Sequence, residues 1–365
     1  MTTIVELNQP SAAVTDGEIA AINLESTRHR AWVRFAQDPR RPGVAEELLD
    51  EERLAAQFLG DLDALDRLDV LAAQFARADD SSRAALVQAE VASIEHRFDD
   101  ARVHLARAAL MGGPRATIEN QLLTVDQACG VRLDAVLASR RRIAITSGRL
   151  EDAIPLGAVL GDLERFAEAD AVYRQGFHAY DGTSPFPLAW AAFQLGTLWG
   201  ELVPVPDLSL AALWYGRALA CFPRYVRARV HLAEIYASQG QTGDAVAMLL
   251  PAVASGDPEA RWRLGDALLA QGRRAEAEAQ LGAARHRFDE LLRRHLLAFA
   301  DHAAEFYASS GNDWRRALQL ARINTANRPT RRALKQAQAI AMNGDMAAAV
   351  TDLRQGVSGL TLESQ

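Results

Sequence analysis

The sequence predicts an all-α protein, a right-handed superhelical solenoid of helical hairpins with an N-terminal helical cap. Two observations carry this. Leu195-Gly196 recurs as Leu232-Ala233 and again as Leu264-Gly265, which sets an internal period of roughly 34 residues. Each pair is followed, at helical spacing, by a small, a bulky and a small residue: Ala211, Tyr215 and Ala218, then Ala245, Leu249 and Ala252, then Ala277, Leu281 and Ala284. Composition agrees, since the chain is rich in Ala, Leu, Arg and Glu, the residues that lose least on becoming helical.

The elements follow in order. Residues 1–16 lack periodicity and read as a flexible arm. From Asp16 to Gln37, Ile19, Ile22, Trp32, Val33 and Phe35 predict an amphipathic helix that Asp38-Pro39 ends. A second helix runs from Val44 to Leu59 and stops at Gly60. A third carries Leu62, Leu65, Leu68, Leu71 and Phe75 on one face. None of these matches the repeat, so residues 17–80 are expected to form a helical bundle that caps the first hairpin.

The repeat array is expected over 81–357. Its first unit has a helix over 85–95, a turn at Arg97-Phe98-Asp99-Asp100, and a second helix marked by Ala101, Leu105 and Ala108, closed by Gly112-Gly113-Pro114. Residues 116–146 read as a degenerate copy with Ala135 in the small position. Leu156-Gly157 restores the register, followed by Ala169, Tyr173 and Gly176. Three clear units come next, then a seventh closed by Trp314, Ala317, Ala321 and Pro329, and an eighth from Arg331 to about Gly356. Residues 358–365 read as a disordered tail.

These offsets resemble the tetratricopeptide repeat. Leu232, Ala233, Tyr236, Ala245, Leu249 and Ala252 match its pattern, as do Leu264, Gly265, Leu268, Ala277, Leu281 and Ala284. The resemblance is strong over 186–285 and weak over 116–146. The chain departs from the pattern at Pro155, inside an expected helix, and at the inserted Leu202-Val203-Pro204-Val205-Pro206. In that family the array acts as a scaffold, co-chaperone or regulator, so the resemblance implies binding rather than catalysis. The physical reading is independent of the name. Small residues at Gly196, Ala233 and Gly265 let the first helix (A) of each hairpin approach the second (B), and A helices line the concave side.

In this register the second, fifth and ninth positions of each A helix face the groove. They include Trp190 and Phe193, Arg227 and Glu234, Trp262 and Asp266, then Phe299, His302 and Phe306. Rings with an Arg and carboxylates between them have the composition of a protein or peptide recognition surface. Any one ring is as readily explained by packing against a neighbouring helix.

Other chemistry is poorly represented. No P-loop, GxGxxG, HExxH, nucleophile elbow or CxxC is present, so no enzymatic activity and no cofactor are expected. His295, His302 and Glu305 fall along one helix face, but a linear row converges poorly on a metal, and no bound metal is expected. Cys129 and Cys221 read as small buried hydrophobes. A formal charge of −7 argues against nucleic acid, and Arg140-Arg141-Arg142, Arg273-Arg274 and Arg331-Arg332 read as solvated helix faces. No signal sequence or membrane span is evident, so a soluble cytoplasmic protein is expected. The expected function is a non-catalytic scaffold or adaptor that holds a protein or peptide in the groove. A regulator that repacks its N-terminal bundle against the repeats, or a metal-handling helper around His295 and His302, are the alternatives.

Overall fold

The computed structural model describes residues 13–343. The first 12 residues and those beyond 343, which include most of the expected arm, the rest of the eighth unit and the tail, lie outside the described residues. Three helices come first: α1 (Gly17–Gln37), α2 (Val44–Leu54) and α3 (Ala64–Ala78). Seven hairpins follow. They are α4 (Ser82–Ile94) with α5 (Phe98–Leu110), α6 (Arg115–Ala128) with α7 (Leu133–Ser147), α8 (Leu150–Asp162) with α9 (Phe166–Ala179), and α10 (Pro185–Thr197) with α11 (Leu208–Cys221). Then come α12 (Val226–Ser238) with α13 (Thr242–Leu249), α14 (Pro258–Ala270) with α15 (Arg274–Arg294), and α16 (Leu296–Ala308) with α17 (Trp314–Asn327). Helix α18 (Arg331–Asn343) opens an eighth unit. The described residues contain no strand, and no helix among them is long and apolar enough to cross a membrane.

The small positions do what close approach requires. A Cβ placed on Gly196 would meet the Tyr215 ring at 2.5 Å, and one on Gly265 would meet Leu281 at 2.7 Å. Gly157 faces the Tyr173 ring in the same way. A missing side chain on helix A is therefore the seat of a bulky one on helix B. The turns repeat as well. His96, Gly130 and Glu164, each 34 residues after the last, all have left-handed backbone, as do Gly240, Gly272 and Asn312 in later turns. That conformation ends the A helix and turns the chain into B.

Several local expectations need correction. The first turn is Glu95 to Arg97, and Phe98, Asp99 and Asp100 already belong to α5. Pro155 does lie inside a helix, as expected, with α8 running from Leu150 to Asp162 around it. Ala135 is exposed, and α7 instead buries Val136, Leu137 and Arg140. Arg140 is no solvated residue: it is buried and donates to Asn120 Oδ1 at 2.5 Å and Thr124 Oγ1 at 2.8 Å. Ile19 and Ile22 are more than half exposed, while α1 buries Ala20, Ala21, Leu24, Ala31 and Phe35. A run of mixed apolar residues left two faces of α1 available, and packing chose the one with small residues.

Helices α1–α3 pack on α4, with Phe35, Leu68, Leu71 and Phe75 against Ala84, Val87 and Val91. Glu52, fully buried, ties the bundle together by accepting from Trp32 Nε1 at 2.7 Å and Arg67 Nε at 2.9 Å. The bundle also reaches the middle of the array. Gly17 lies against the α11–α12 connection, where a Cβ would meet Cys221 O and Pro223 at 2.6 Å. Phe58, on a π-helical turn over Ala55–Leu59, inserts between Phe186, Phe222 and Tyr225, with centroids 5.0, 5.7 and 4.6 Å away. Leu62 and Leu65 leave the bundle core and join Trp262, Phe288 and Leu291. Asp63 meets Arg287 at 2.8 Å.

The far end of the array returns to its beginning. His96 Nδ1 lies 3.2 Å from Leu297 O, and Asn327 Nδ2 donates to His96 O at 2.9 Å. Burial holds the His96 imidazole down at about 4. Arg331 meets Glu164 at 3.3 Å, and Arg332 meets Glu201 at 3.0 Å. The turns of the early hairpins thus rest against the α16–α18 region.

Candidate functional site

Three successive A helices carry a polar face beside their packed one. Successive turns of α12 present Arg227, His231 and Glu234; α14 presents Glu259, Arg263 and Asp266; α16 presents Asp301, His302 and Glu305. A π-helical turn over Leu198–Leu202, at the start of the insertion, adds Glu201. Glu201, His231, Glu234, Glu259, Arg263, Asp266, Asp301 and His302 keep between 17% and 38% of their side-chain surface accessible.

These side chains form one row of ion pairs. His231 Nδ1 lies 3.0 Å from Glu201 and 3.4 Å from Glu234, its ring stacked on Tyr215 at 5.3 Å. Arg263 pairs with Glu234, approaches Asp266 at 3.9 Å, and lies 3.6 Å over the Trp262 ring. Trp262 Nε1 donates to Ser310 Oγ at 3.1 Å, and that hydroxyl donates to Asp266. His302 pairs with Glu259, and Asp301 meets Arg328 at 3.6 Å. Gln336 Nε2 donates to Glu305 at 2.7 Å.

Burial and neighbouring charges compete at these groups, and burial wins at Glu234 and Asp266, whose carboxyls are raised. Burial pushes the Glu201 carboxyl up, but the hydrogen bond and charge of His231, with Arg332, bring it down to about 2. Burial opposes the positive charge on His302, and the Asp301 and Glu259 carboxylates outweigh it, leaving the imidazole up at about 10. Glu259 is held low against its burial by His302. Neighbouring Asp257, fully enclosed and beside the Glu259 charge, is pushed up to about 6. Most of the surface of these side chains is covered, so removing one member of a pair leaves its partner's charge poorly compensated, and a bound segment must supply a matching charge in its place.

The expected stripe of exposed rings is absent. Phe193, Trp262, Phe299 and Phe306 are buried. Phe306 stacks on Phe288 at 5.0 Å and meets Trp262 edge-on at 5.5 Å. Phe193 packs on Tyr225 at 5.2 Å, and Trp190 is half-buried against the same core. Leu62 of the bundle closes over Phe299 and Phe288, leaving a cavity of about 20 Å³ bordered by Arg227 and His302. So Arg227, Glu234, Asp266 and His302 keep accessible side chains, while the rings of Phe193, Trp262, Phe299 and Phe306 are packed away. His295, His302 and Glu305 do not converge. His295 turns to Asp66 and Glu95, His302 to Glu259, and Glu305 to Gln336.

Sequence reasoning missed Glu201, His231, Arg263, Asp301 and Arg332. Two signals were available: the i,i+3 pair His231 and Glu234, and an acidic residue next to the one insertion in the regular repeats.

No protein-family profile matches the chain, and no curated protein matches it. Among solved structures, the C-terminal part of a TPR repeat-containing protein from Cytophaga hutchinsonii has a TM-score of 0.34 at 12% identity, covering 80% of this chain and 97% of that one. The human IFIT1 dimer with m7Gppp-AAAA gives 0.39 at 15% identity, over 86% and 74%. Yeast Tom70 gives 0.37 at 13%, over 94% and 86%. Each is a distant likeness in helical-repeat architecture.

Proposed function

We propose that this protein is a non-catalytic helical-repeat scaffold that holds a charged protein or peptide segment against the inner face of α12, α14 and α16. The observation that carries the reading is the row of partly accessible ion pairs presented by successive A helices. Arg227 and His302 receive carboxylates of the partner, and Glu234 and Asp266 receive its cations. The rings of Trp190, Phe193, Trp262, Phe299 and Phe306 serve as the rigid floor beneath. A second reading, a regulator whose bundle repacks on binding, is favoured by Phe58, Leu62 and Asp63, which tie the bundle to the same repeats.

The test compares proteins recovered from the native host by the wild type, by an Arg227→Ala/Glu234→Gln double variant, and by Arg273→Glu on an exposed turn. The double variant is expected to lose a partner that the other two keep, with an unchanged helical signal. Retention of every partner by the double variant, or loss by Arg273→Glu alone, overturns the assignment.

A further inference from the structure

A second cluster of chemistry lies apart from the inner face, where three segments distant in sequence meet. Helix α3 contributes Asp66 and Asp69, one turn apart on the same face. The α4–α5 turn contributes Glu95, and the junction of α15 and α16 contributes His295. Glu95 and His295 are buried, which is costly for ionisable groups without a compensating charge. One ligand atom each from Asp69, Glu95 and His295 lies within 4.8 Å of the others.

The surroundings orient these atoms inward. His295 Nε2 lies 2.9 Å from Asp66 Oδ1, which leaves Nδ1 directed at Glu95 Oε1, 3.1 Å away. A carboxylate on one ring nitrogen that sets the other for a metal is the usual second-layer arrangement of metal-binding histidines. Arg97 occupies the outer carboxylate oxygens, with Nε 2.7 Å from Glu95 Oε2 and Nη2 3.0 Å from Asp69 Oδ1. The inner oxygen, Glu95 Oε1, is buried and accepts no well-directed hydrogen bond.

From this geometry we infer a binding site for one divalent transition-metal cation of the Zn²⁺ class, held by His295 Nδ1 and the carboxylates of Asp69 and Glu95, with Asp66 positioning the histidine. One imidazole and two carboxylates suit a borderline ion such as Zn²⁺ or Mn²⁺ better than Ca²⁺ or Mg²⁺, which take all-oxygen shells. Tetrahedral ligands about 2.1 Å from an ion lie roughly 3.4 Å apart, so a spread of at most 4.8 Å closes with side-chain rotations. This is not the linear row of His295, His302 and Glu305; the convergence comes from the bundle and the first hairpin. The ion links α3, the first hairpin and the start of the seventh, and so fastens the bundle to both ends of the array. The site does not depend on the inner face binding a partner.

The test uses the full chain without a polyhistidine tag, stripped with chelator, and titrated calorimetrically with Zn²⁺ and separately with Mn²⁺ at pH 7.5. One equivalent of Zn²⁺ is expected, raising the melting temperature, because a ligand that binds only the folded state stabilises it. Asp69→Asn, at a half-exposed position that leaves the fold intact, should weaken binding at least tenfold and remove that rise, and Glu95→Gln should abolish stoichiometric binding. Asp66→Asn should weaken it about 10–100-fold, as loss of second-layer partners does. His286→Ala, at an exposed histidine beside Glu290, should bind as the wild type does. Failure of the wild type to take up one equivalent of either ion overturns the inference and leaves a protonated His295 bridging two carboxylates. Equal binding by Asp69→Asn also overturns it.

Discussion

The central hairpins α10–α11 and α14–α15 differ sharply from the hairpin α6–α7, although all three come from one repeat pattern. In the central pair Gly196 and Gly265 remove a side chain where Tyr215 and Leu281 need room, and the helices close on each other. In α6–α7 no such pair exists at the expected offset. The polar Arg140 takes a buried place, and a cleft of about 700 Å³ opens between the helices, bordered by Asn120, Leu123, Arg142 and Ile143. The bundle follows the same division, since Phe58 and Leu62 insert among the central repeats. Tight packing, bundle docking and the inner ion-pair row thus coincide in one part of the array.

That coincidence can be broken by substitution. Gly265→Trp should have the largest effect, because even small additions to a packed core cost about 1–3 kcal/mol and here the Cβ itself has no room. Calorimetry should find the cooperative transition of the central repeats lost; a variant that melts like the wild type would mean that Gly265 does not face α15 in solution.

Phe58→Ala comes next. Removing a buried Phe costs about 3–5 kcal/mol, here spent mainly on holding the bundle to α10–α12. Hydrogen exchange should accelerate in α1–α3 and at Tyr225 while α6–α7 is unchanged. Uniform acceleration throughout would show that the two regions are not separable.

A smaller effect concerns pH. His302 titrates higher in the folded chain than the ordinary value near 6.5, so its stabilisation is fully present below that pH and fades as pH rises towards about 10. Glu259 titrates lower than normal, so its share is present above the ordinary carboxyl range and fades in acid. The melting temperature of the wild type should therefore exceed that of His302→Gln most between about pH 4.5 and 6.5 and converge with it only above about pH 10. A gap that widens with rising pH would reverse the assigned charges. The least effect is expected for Ala135→Trp, an exposed site on the open hairpin, within about 0.5 kcal/mol of the wild type by denaturant titration.

Much of this fold was legible because helical packing is written in local periods. Leu-Gly or Leu-Ala followed by Ala, a bulky residue and Ala located the central hairpins, and the direction of Gly265 towards helix B followed from it. The charged members of that register, Arg227, Glu234, Asp266 and His302, keep accessible side chains while the rings between them are covered. Where the local pattern decayed, at Ala135 and Arg140, the register was lost with it.

The sequence alone determined that these segments are helices, where they turn, and which small residues meet which large ones, since each depends on neighbours within one period. Tertiary structure alone decided that Phe58 and Leu62 cover the rings, that Arg332 returns to Glu201, and that Asp69 and Glu95 meet His295. Those contacts join residues more than a hundred positions apart, apart from the link between Asp69 and Glu95. They depend on the small rotation between successive hairpins, summed over the array, and no single repeat encodes that sum.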